Sequence, residues 1–193
     1  MSFFKAIGRL PWSARIGLLI LLLFALCILF APWIAPYGES QIVGDVWEPI
    51  GGTFLFGTDQ IGRDLLSRLV YGARNTISLA LLTTALAFLV GGLLGFLAAT
   101  MRGWVDQLLS RFVDIIISIP TLIFALIVLS AVGTSIPVLI SVIGLVYAMP
   151  VYRIARAVAM DIEIMDYVEV ARLRGEGMWW IMRREILPNA LTP

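Results

Sequence analysis

The chain contains no histidine and only one cysteine, Cys27, among its 193 residues. A zinc site with the usual Cys and His ligands, an internal disulfide and a Cys/His catalytic pair are therefore excluded within it. Cys27 lies inside an apolar run, and Leu26 stands directly before it, where a lipoprotein signal requires a small residue. We therefore predict a buried apolar cysteine rather than a lipid anchor.

Charged residues are also scarce, at 14%, whereas 60% of the residues are hydrophobic and the mean hydropathy is +0.96. This composition is typical of integral membrane proteins. The apolar segments carry no charge near their centres, which argues against a proton relay or an ion site. No glycine-rich loop ending in Lys-Ser or Lys-Thr is present, so we do not expect the chain to bind ATP itself. The net charge of +1 gives no sign of a nucleic-acid partner.

The apolar segments predict four membrane spans in an all-α helix bundle. Residues 16–35 and 76–101 are each long enough to cross a hydrocarbon layer of roughly 30 Å. Residues 115–152 contain no charge and are too long for one span, so the glycine and proline of 133–137 are predicted to break them into a hairpin. No small-x-small cleavage site follows the first segment, which therefore predicts an uncleaved anchor.

Small and helix-breaking residues mark three local features of these spans. Gly91, Gly92 and Gly95 are spaced so that a neighbouring helix can approach closely in lipid. Pro120 predicts a kink, since proline removes a backbone donor. Arg111 and Asp114 are three residues apart and are predicted to be able to pair at the membrane edge.

The basic residues predict a cytoplasmic N-terminus. With this orientation the inner side receives Lys5, Arg9 and Arg15, then Arg102 and Arg111, then six arginines after Tyr152. The outer side receives Arg63, Arg68 and Arg74, together with five acidic residues of the same loop. This distribution follows the positive-inside rule.

The last part of the chain predicts two short helices separated by glycines, which we call the helix–glycine–helix segment (residues 161–188). Residues 161–173 are predicted as an amphipathic helix, with Ile164, Met165, Val168 and Ala171 on one stripe. Gly175 and Gly177 are predicted to stop it, and a second helix over 178–187 to end at Pro188. Two helices around a sharp turn, outside the bilayer, can pass a displacement from a soluble partner to the spans.

A second polar stretch, the outer segment (residues 36–75), precedes the second span. Gly57, Thr58 and Asp59 predict a turn whose short polar side chains cap the following helix. From Arg63 onward, apolar residues recur at helical spacing, which predicts an amphipathic helix running into the second span: Leu65, Leu66, Leu69 and Val70.

The helix–glycine–helix segment resembles the EAA loop of ABC importer permeases, which has Glu-Ala-Ala, three residues, Gly, nine residues, then Ile-x-Leu-Pro. Glu169, Ala171, Gly175, Leu187 and Pro188 stand at the matching positions. Val170 replaces the middle alanine, and Glu185 stands where the pattern has isoleucine, with Ile186 after it. That shift and the Leu-Pro-Asn ending resemble the dipeptide, oligopeptide and nickel branch. The alternative is a cytoplasmic loop with ordinary helix-breaking glycines.

The outer segment also resembles a motif of this branch, which lies ahead of its membrane core. The matching residues are Gly57, Thr58, Asp59, Gly62, Arg63, Asp64, Ser67, Arg68, Gly72 and Arg74. One interpretation is a docking surface for a substrate-binding protein or a partner permease. The other is an interfacial helix that fixes the angle at which the second span enters the membrane.

The resemblance implies a permease subunit of an ATP-driven importer in a bacterial or archaeal inner membrane, with the type I permease fold. Its substrate would be a peptide or a related small solute, with nickel possible. It implies a homologous partner permease, two ATPases that bind ATP and Mg, and an extracytoplasmic binding protein, with no cofactor or metal in this chain. The implied ATPase-coupling residues are Glu169, Val170, Ala171, Gly175, Gly177, Ile186, Leu187 and Pro188. Among them, Glu169, Ala171 and Gly175 are expected to seat in a cleft of the ATPase.

The implied organisation is an N-terminal tail and anchor (1–35), the outer segment (36–75) and a permease core (76–193). The resemblance also implies about six spans, so we expect a fifth to begin near Thr192 and Pro193 and the chain to be truncated there. A non-transporting membrane scaffold derived from such a permease is the alternative function. An intramembrane enzyme or channel is disfavoured, because histidine and charges in the middle of the spans are absent.

Overall fold

The computed structural model describes residues 11–101 and 103–190, and the regular secondary structure within these residues is helical. Isolated bridges, such as that between Ile42 and Arg63, are the only extended pairings among them. The expected all-α fold is confirmed. The elements are α1 (Trp12–Ile34), α2 (Leu65–Met101), α3 (Gly103–Ser118), α4 (Thr121–Val132), α5 (Ile136–Glu163), α6 (Asp166–Leu173), α7 (Met178–Ile181), a π-helical turn (Met182–Ile186) and α8 (Leu187–Ala190).

The chain divides into two compact units, Met1–Ala80 and Leu81–Pro193. The first contains α1, the whole outer segment and the start of α2. The second contains the rest of α2 and the helices from α3 to α8. Several residues used in the sequence predictions lie outside the described residues: Lys5, Arg9, Arg102, Thr192 and Pro193.

Among the described residues, three helices are long and apolar enough to cross a membrane, namely α1, α2 and α5. α1 is exposed along most of its length, as a helix surrounded by lipid would be. Cys27 on α1 is a free thiol of intermediate exposure, so it is less buried than predicted. The amphipathic helix of the outer segment continues without a break into the second span, as predicted.

The predicted span that begins near residue 115 is not a straight helix. α3 and α4 meet at a bend of 91° and can count as one span only as a broken or re-entrant pair. Pro120 lies at the bend with a non-helical ψ of 123°, and it has no N–H group with which to continue the hydrogen bonds of α3. The expected kink is thus a complete break, and the fourth predicted span depends on this bent pair. The break within 133–137 is found as predicted, with Gly133 ending α4 at a φ of 106°.

α2 packs closely against α5 through its glycines. A Cβ atom at Gly95 would lie 2.7 Å from the carbonyl oxygen of Tyr152, and one at Gly91 would overlap the carbonyl oxygen of Ala148. Gly92 faces open space, so two of the three glycines provide the predicted close approach. Beside this contact, a buried cluster joins α2, α3 and α5: Ala98, Val113, Ala148, Met149 and Tyr152.

Candidate functional site

The first helix of the helix–glycine–helix segment is shorter than predicted. The expected helix began at Asp161, but α5 continues through Glu163, and α6 starts only at Asp166 after an extended Met165. Ile164 and Met165 are 75% and 47% exposed, so the predicted stripe buries only its other two members. Periodic apolar residues do not reveal this break, because the apolar spacing continues through it.

Gly175 ends α6 in the manner predicted. The Gly175 N–H donates to the Arg172 carbonyl oxygen at 2.9 Å, and the Glu176 N–H donates to the Ala171 carbonyl oxygen at 3.2 Å. This pair of hydrogen bonds forms a Schellman motif with Gly175 in the left-handed region, at a φ of 81°. Gly177 is not among the glycines with positive φ. It directly precedes α7, and its carbonyl oxygen accepts a hydrogen bond from the N–H of Ile181, the last residue of that helix.

The second half of the segment does not end at Pro188 as predicted. α7 is followed by the π-helical turn Met182–Ile186 and then by α8, which contains Pro188. A proline interrupts the backbone hydrogen bonds of a regular α-helix. The π-helical turn directly before α8 shifts the hydrogen-bond pattern, so that α8 can include Pro188. The Asn189 side chain donates to the Glu185 carbonyl oxygen at 2.6 Å across this turn.

One face of the segment is packed into the chain itself. Val168, Ala171 and Ile186 are 0% exposed, and they contact side chains at the ends of two spans. The buried members of this cluster are Ala99, Ala159, Ile162, Val168, Ala171, Ile181 and Ile186. The direct contact with an ATPase expected at Ala171 does not fit this geometry, because its side chain has no free surface. Its small size serves internal packing.

The opposite face of the segment is open. Glu169 and Pro188 are exposed, Val170 is 49% exposed, and a Cβ atom at Gly175 or Gly177 would meet nothing within 4 Å. The Leu187 side chain lies outside the described parts of the chain. The implied coupling residues are therefore of two kinds, an inner set that packs against the spans and an outer set available to a partner.

An ion pair that the sequence did not suggest joins α6 to α5. The Arg172 guanidinium donates to the Glu163 carboxylate, whose side chain is 0% exposed, whereas that of Arg172 is 45% exposed. The two residues are nine apart and are separated by a helix break. Spacing along a single helix therefore cannot reveal the pair.

A second ion pair joins α3 to α5. Arg156 donates through Nε and Nη2 to the two carboxylate oxygens of Asp106, at 2.5 and 2.6 Å. One turn further along α3, the Ser110 hydroxyl lies 2.9 Å from the Tyr152 hydroxyl. The predicted pairing of Arg111 with Asp114 is not among the ion pairs formed within residues 103–190.

Asp59 is the centre of the outer segment. Its Oδ1 accepts hydrogen bonds from the backbone N–H groups of Ile61 and Arg63, and its Oδ2 accepts from the side chains of Arg63 and Arg68 at 2.8 and 2.6 Å. Burial opposes ionisation of Asp59. The hydrogen bonds from Arg63 and Ile61 outweigh it and hold the pKa of the carboxyl well below its usual range.

Asp64, rather than Thr58 or Asp59, caps the following helix. Its Oδ2 accepts from the Ser67 N–H at 2.8 Å and from the Ser67 hydroxyl at 2.7 Å, as an N-cap residue does for the third residue of a helix. Thr58 instead ties two turns together, because its hydroxyl donates to the Asp45 carbonyl oxygen and accepts from the Glu48 N–H.

Two glycines of the outer motif are required by close backbone contacts. Gly57 and Gly62 have φ of 75° and 78°, and a Cβ atom at either would overlap a carbonyl oxygen of the same loop. Gly72 and Arg74 make no such contact, and Arg74 is exposed. Most residues of this motif therefore hold the loop together, which favours the interpretation that they fix the start of the second span.

The surface of the outer segment remains apolar in places. Its exposed large apolar side chains are Ile42, Val46, Trp47, Ile50, Leu55, Phe56, Ile61 and Leu69. No group of three or more Cys, Asp or Glu side chains that could hold a metal ion occurs within residues 11–101 and 103–190.

The sequence profiles of two known families match different parts of the chain. The sequence profile of the binding-protein-dependent transport system inner membrane component matches residues 91–193. That of the N-terminal transmembrane domain of oligopeptide transport permease C matches residues 12–45.

Individual relatives carry the names of peptide and glutathione transport permeases. The chain is 37% identical to a di/tripeptide transport system permease protein of Pseudomonas aeruginosa, over 92% of this chain and 61% of the relative. It is 34% identical to a probable D,D-dipeptide transport system permease protein of Escherichia coli, over 90% and 59%. A glutathione transport system permease protein of Pectobacterium atrosepticum is 26% identical, over 99% and 64%.

The chain spans about three fifths of the length of the curated relatives it matches. The inner-membrane-component profile covers more than half of the chain, including both faces of the helix–glycine–helix segment and the helices on which it packs. The chain belongs to the family of binding-protein-dependent transport system inner membrane components.

Proposed function

We propose that the chain is the permease subunit of an ATP-driven importer that takes up dipeptides or oligopeptides. Substrate passes from an extracytoplasmic binding protein, through a pathway shared with a homologous partner permease, to the cytoplasm. Family membership and the names of the peptide transport relatives support this proposal. The relatives also include a glutathione permease, so the substrate class is the part that most needs a direct test.

The two-faced construction of the helix–glycine–helix segment carries the proposal. Its inner face packs on Ala99 of α2 and on Ala159 and Ile162 of α5, while Glu169 and Val170 remain open to solvent. A soluble ATPase that presses on the open face displaces a body already seated on two spans. ATP and Mg are bound by the two partner ATPases, and this chain provides the mechanical connection.

The contact between α2 and α5 supports the next step of the mechanism. Gly91 and Gly95 bring α2 against the backbone of α5, so little side-chain volume between them can absorb a displacement. The two helices therefore move together when the segment moves. Alternate opening towards each side of the membrane follows from this motion against the partner permease.

The proposed orientation places the helix–glycine–helix segment in the cytoplasm and the outer segment outside. The excess of basic residues on the proposed inner side supports it. In this orientation the open face of α6 meets the ATPases. The apolar surface of the outer segment lies on the side from which a binding protein delivers substrate.

Reconstitution tests the proposed function. The complete permease, with its cognate partner permease, ATPases and binding protein, is placed in proteoliposomes, and uptake of a radiolabelled dipeptide is measured with unlabelled glutathione and nickel as competitors. Uptake that requires ATP and the binding protein, and is competed only by peptides, is expected. Uptake competed by glutathione or nickel alone would reassign the substrate, and absence of ATP-dependent uptake of any of the three would refute the importer assignment.

Copurification tests the docking face. Val170→Arg adds a long charged side chain to the exposed face of α6 and should abolish copurification of the ATPases while leaving membrane insertion intact. Gln41→Arg, at an exposed position of the outer segment, is the matched control and should copurify normally. Equal copurification of the two variants would show that α6 is not the docking helix.

A further inference from the structure

One face of α5 carries a row of side chains that reach other helices. Tyr152, Arg156, Ala159 and Glu163 are separated by four, three and four residues, which places them on a single stripe of a helix. Tyr152 and Arg156 bond to α3, Ala159 lies in the core under α6, and Glu163 bonds to α6. The stripe thus connects the bent α3–α4 pair at one end with the open docking helix at the other.

The contact between α5 and α3 includes an ion pair whose two hydrogen bonds restrict the relative orientation of the side chains. The Arg156 guanidinium and the Asp106 carboxylate meet through two parallel hydrogen bonds of 2.5 and 2.6 Å, an arrangement that restricts rotation as well as separation. Their side chains are 29% and 19% exposed, so water screens the pair only in part. The bond between Ser110 and Tyr152 adds a second fixed point one turn away.

The contact between α5 and α6 spans the turn that separates these two helices. The backbone leaves the helical path at Ile164 and Met165, and the ion pair between Glu163 and Arg172 bridges this turn. Removing the arginine would leave a fully buried carboxylate without this partner, which is costly. The pair therefore adds a polar contact across the turn to the apolar packing of α6 on α5.

We propose that Asp106, Arg156, Glu163 and Arg172 are positioning residues for transport, because they make α3, α5 and α6 move as one body. A displacement of α6 then reaches the bend at Pro120 instead of being lost at the turn after α5. Without either ion pair the ATPases still bind and hydrolyse ATP, but less of each stroke reaches the transport pathway. This inference rests on the proposed function and adds the route by which the displacement travels.

Matched charge-removing variants test the route in the reconstituted transporter. Arg172→Gln and Asp106→Asn each remove one member of a pair. Arg174→Gln and Asp161→Asn remove the same charge at exposed positions for which residues 103–190 show no ion pair. For the first two variants we expect normal ATPase copurification and peptide uptake per ATP hydrolysed lowered about fivefold or more, the usual scale of coupling between sites. The control variants should retain wild-type uptake per ATP.

Three results would overturn the inference. One is unchanged uptake per ATP in Arg172→Gln and Asp106→Asn. Another is loss of ATPase copurification in Arg172→Gln, which would make Arg172 a direct docking residue. The third is an equal fall in the variants and their controls. Arg172→Lys keeps the charge and should recover part of the uptake per ATP, which separates loss of the pair from general misfolding.

A distance measurement tests the same inference without transport. Spin labels at Met160→Cys and Val170→Cys, both exposed positions, report the separation of α5 and α6 in a Cys27→Ser background. Arg172→Gln should broaden the distance distribution, and Arg174→Gln should not. An unchanged distribution in Arg172→Gln would refute the positioning role. Failure of the wild-type complex to import peptide would instead refute the proposed function.

Discussion

Gly95 lies so close to Tyr152 that a Cβ atom on the glycine would be 2.7 Å from the tyrosine carbonyl oxygen. The neighbouring atoms are backbone atoms of α5 and the Cβ atom of Ala155, none of which can move aside as the end of a flexible side chain can. The contact between these two spans therefore depends on the absence of a single methyl group.

Gly95→Ala is expected to destabilise the protein by about 1–3 kcal/mol, the typical cost of overpacking a close-packed interior. Gly92→Ala is the matched control, because position 92 of the same helix faces open space. Thermal unfolding of the detergent-solubilised protein, followed by size-exclusion chromatography, measures the difference. Equal midpoints for the two variants would show that α2 and α5 are not in backbone contact.

Ala171→Leu is expected to disturb the inner face of the helix–glycine–helix segment, at a cost of about 1–3 kcal/mol. Its side chain is 0% exposed among apolar neighbours, so added volume has nowhere to go. Val170→Leu adds one methylene at a half-exposed position and should be nearly neutral. Hydrogen exchange of the α6 amides measures the change. Faster exchange in Val170→Leu than in Ala171→Leu would contradict the assignment of the inner face.

Gly175 is expected to tolerate asparagine far better than valine. Its φ of 81° costs most residues about 1–2 kcal/mol, and asparagine is among the few that adopt it readily. Gly175→Val should fray the end of α6, whereas Gly175→Asn should preserve it, as followed by hydrogen exchange of the amides at positions 175 and 176.

Gly175→Arg should insert normally in the membrane yet abolish transport. Normal uptake by that variant would remove Gly175 from the docking surface.

Asp59 predicts an acid-sensitive outer segment. Because the pKa of Asp59 is lowered on folding, its contribution to stability is complete above the pKa of the unfolded chain, about 4, and is lost as the pH falls through the folded value. The stability difference between wild type and Asp59→Asn should thus be constant from neutral pH to about pH 4 and shrink below it. Limited proteolysis across this range measures it. A difference that shrinks already between pH 7 and pH 5 would implicate another group.

Cysteine labelling tests the orientation. Single cysteines at Asp45, Gly103 and Glu176, in a Cys27→Ser background, are exposed to an impermeant maleimide in intact cells. Position 45 should react, and positions 103 and 176 should react only after the membrane is permeabilised. The reverse pattern would place the helix–glycine–helix segment outside and end the docking proposal.

Single glycine and proline residues were sufficient to predict several of the helix ends in this structure. The break at Gly133, the interruption at Pro120 and the left-handed Gly175 each follow from the conformational preferences of one residue type. The same reasoning failed at Pro188, which follows a π-helical turn whose last residue, Ile186, is buried against the spans. Propensity describes a residue in isolation, and here packing decided the outcome.

Long-range pairs were beyond the reach of the sequence. Arg111 and Asp114 have suitable spacing, yet Asp106 pairs with Arg156, fifty residues away. Similarly, Asp59 has the short polar side chain of a capping residue, but it binds two arginines and leaves the cap to Asp64. In both cases several candidates were chemically equivalent, and only the fold brings one of them into contact.

The number of residues in the π-helical turn Met182–Ile186 sets the rotation of α8 relative to α7 about the helix axis. Such a turn accommodates about one residue more than an α-helical turn, and each residue of an α-helix rotates the next by about 100°. Removal of one residue from this turn would restore a regular helix and swing Pro188 and Asn189 to a different side. The direction of the backbone after this turn is therefore set by the number of residues in the turn as much as by their types.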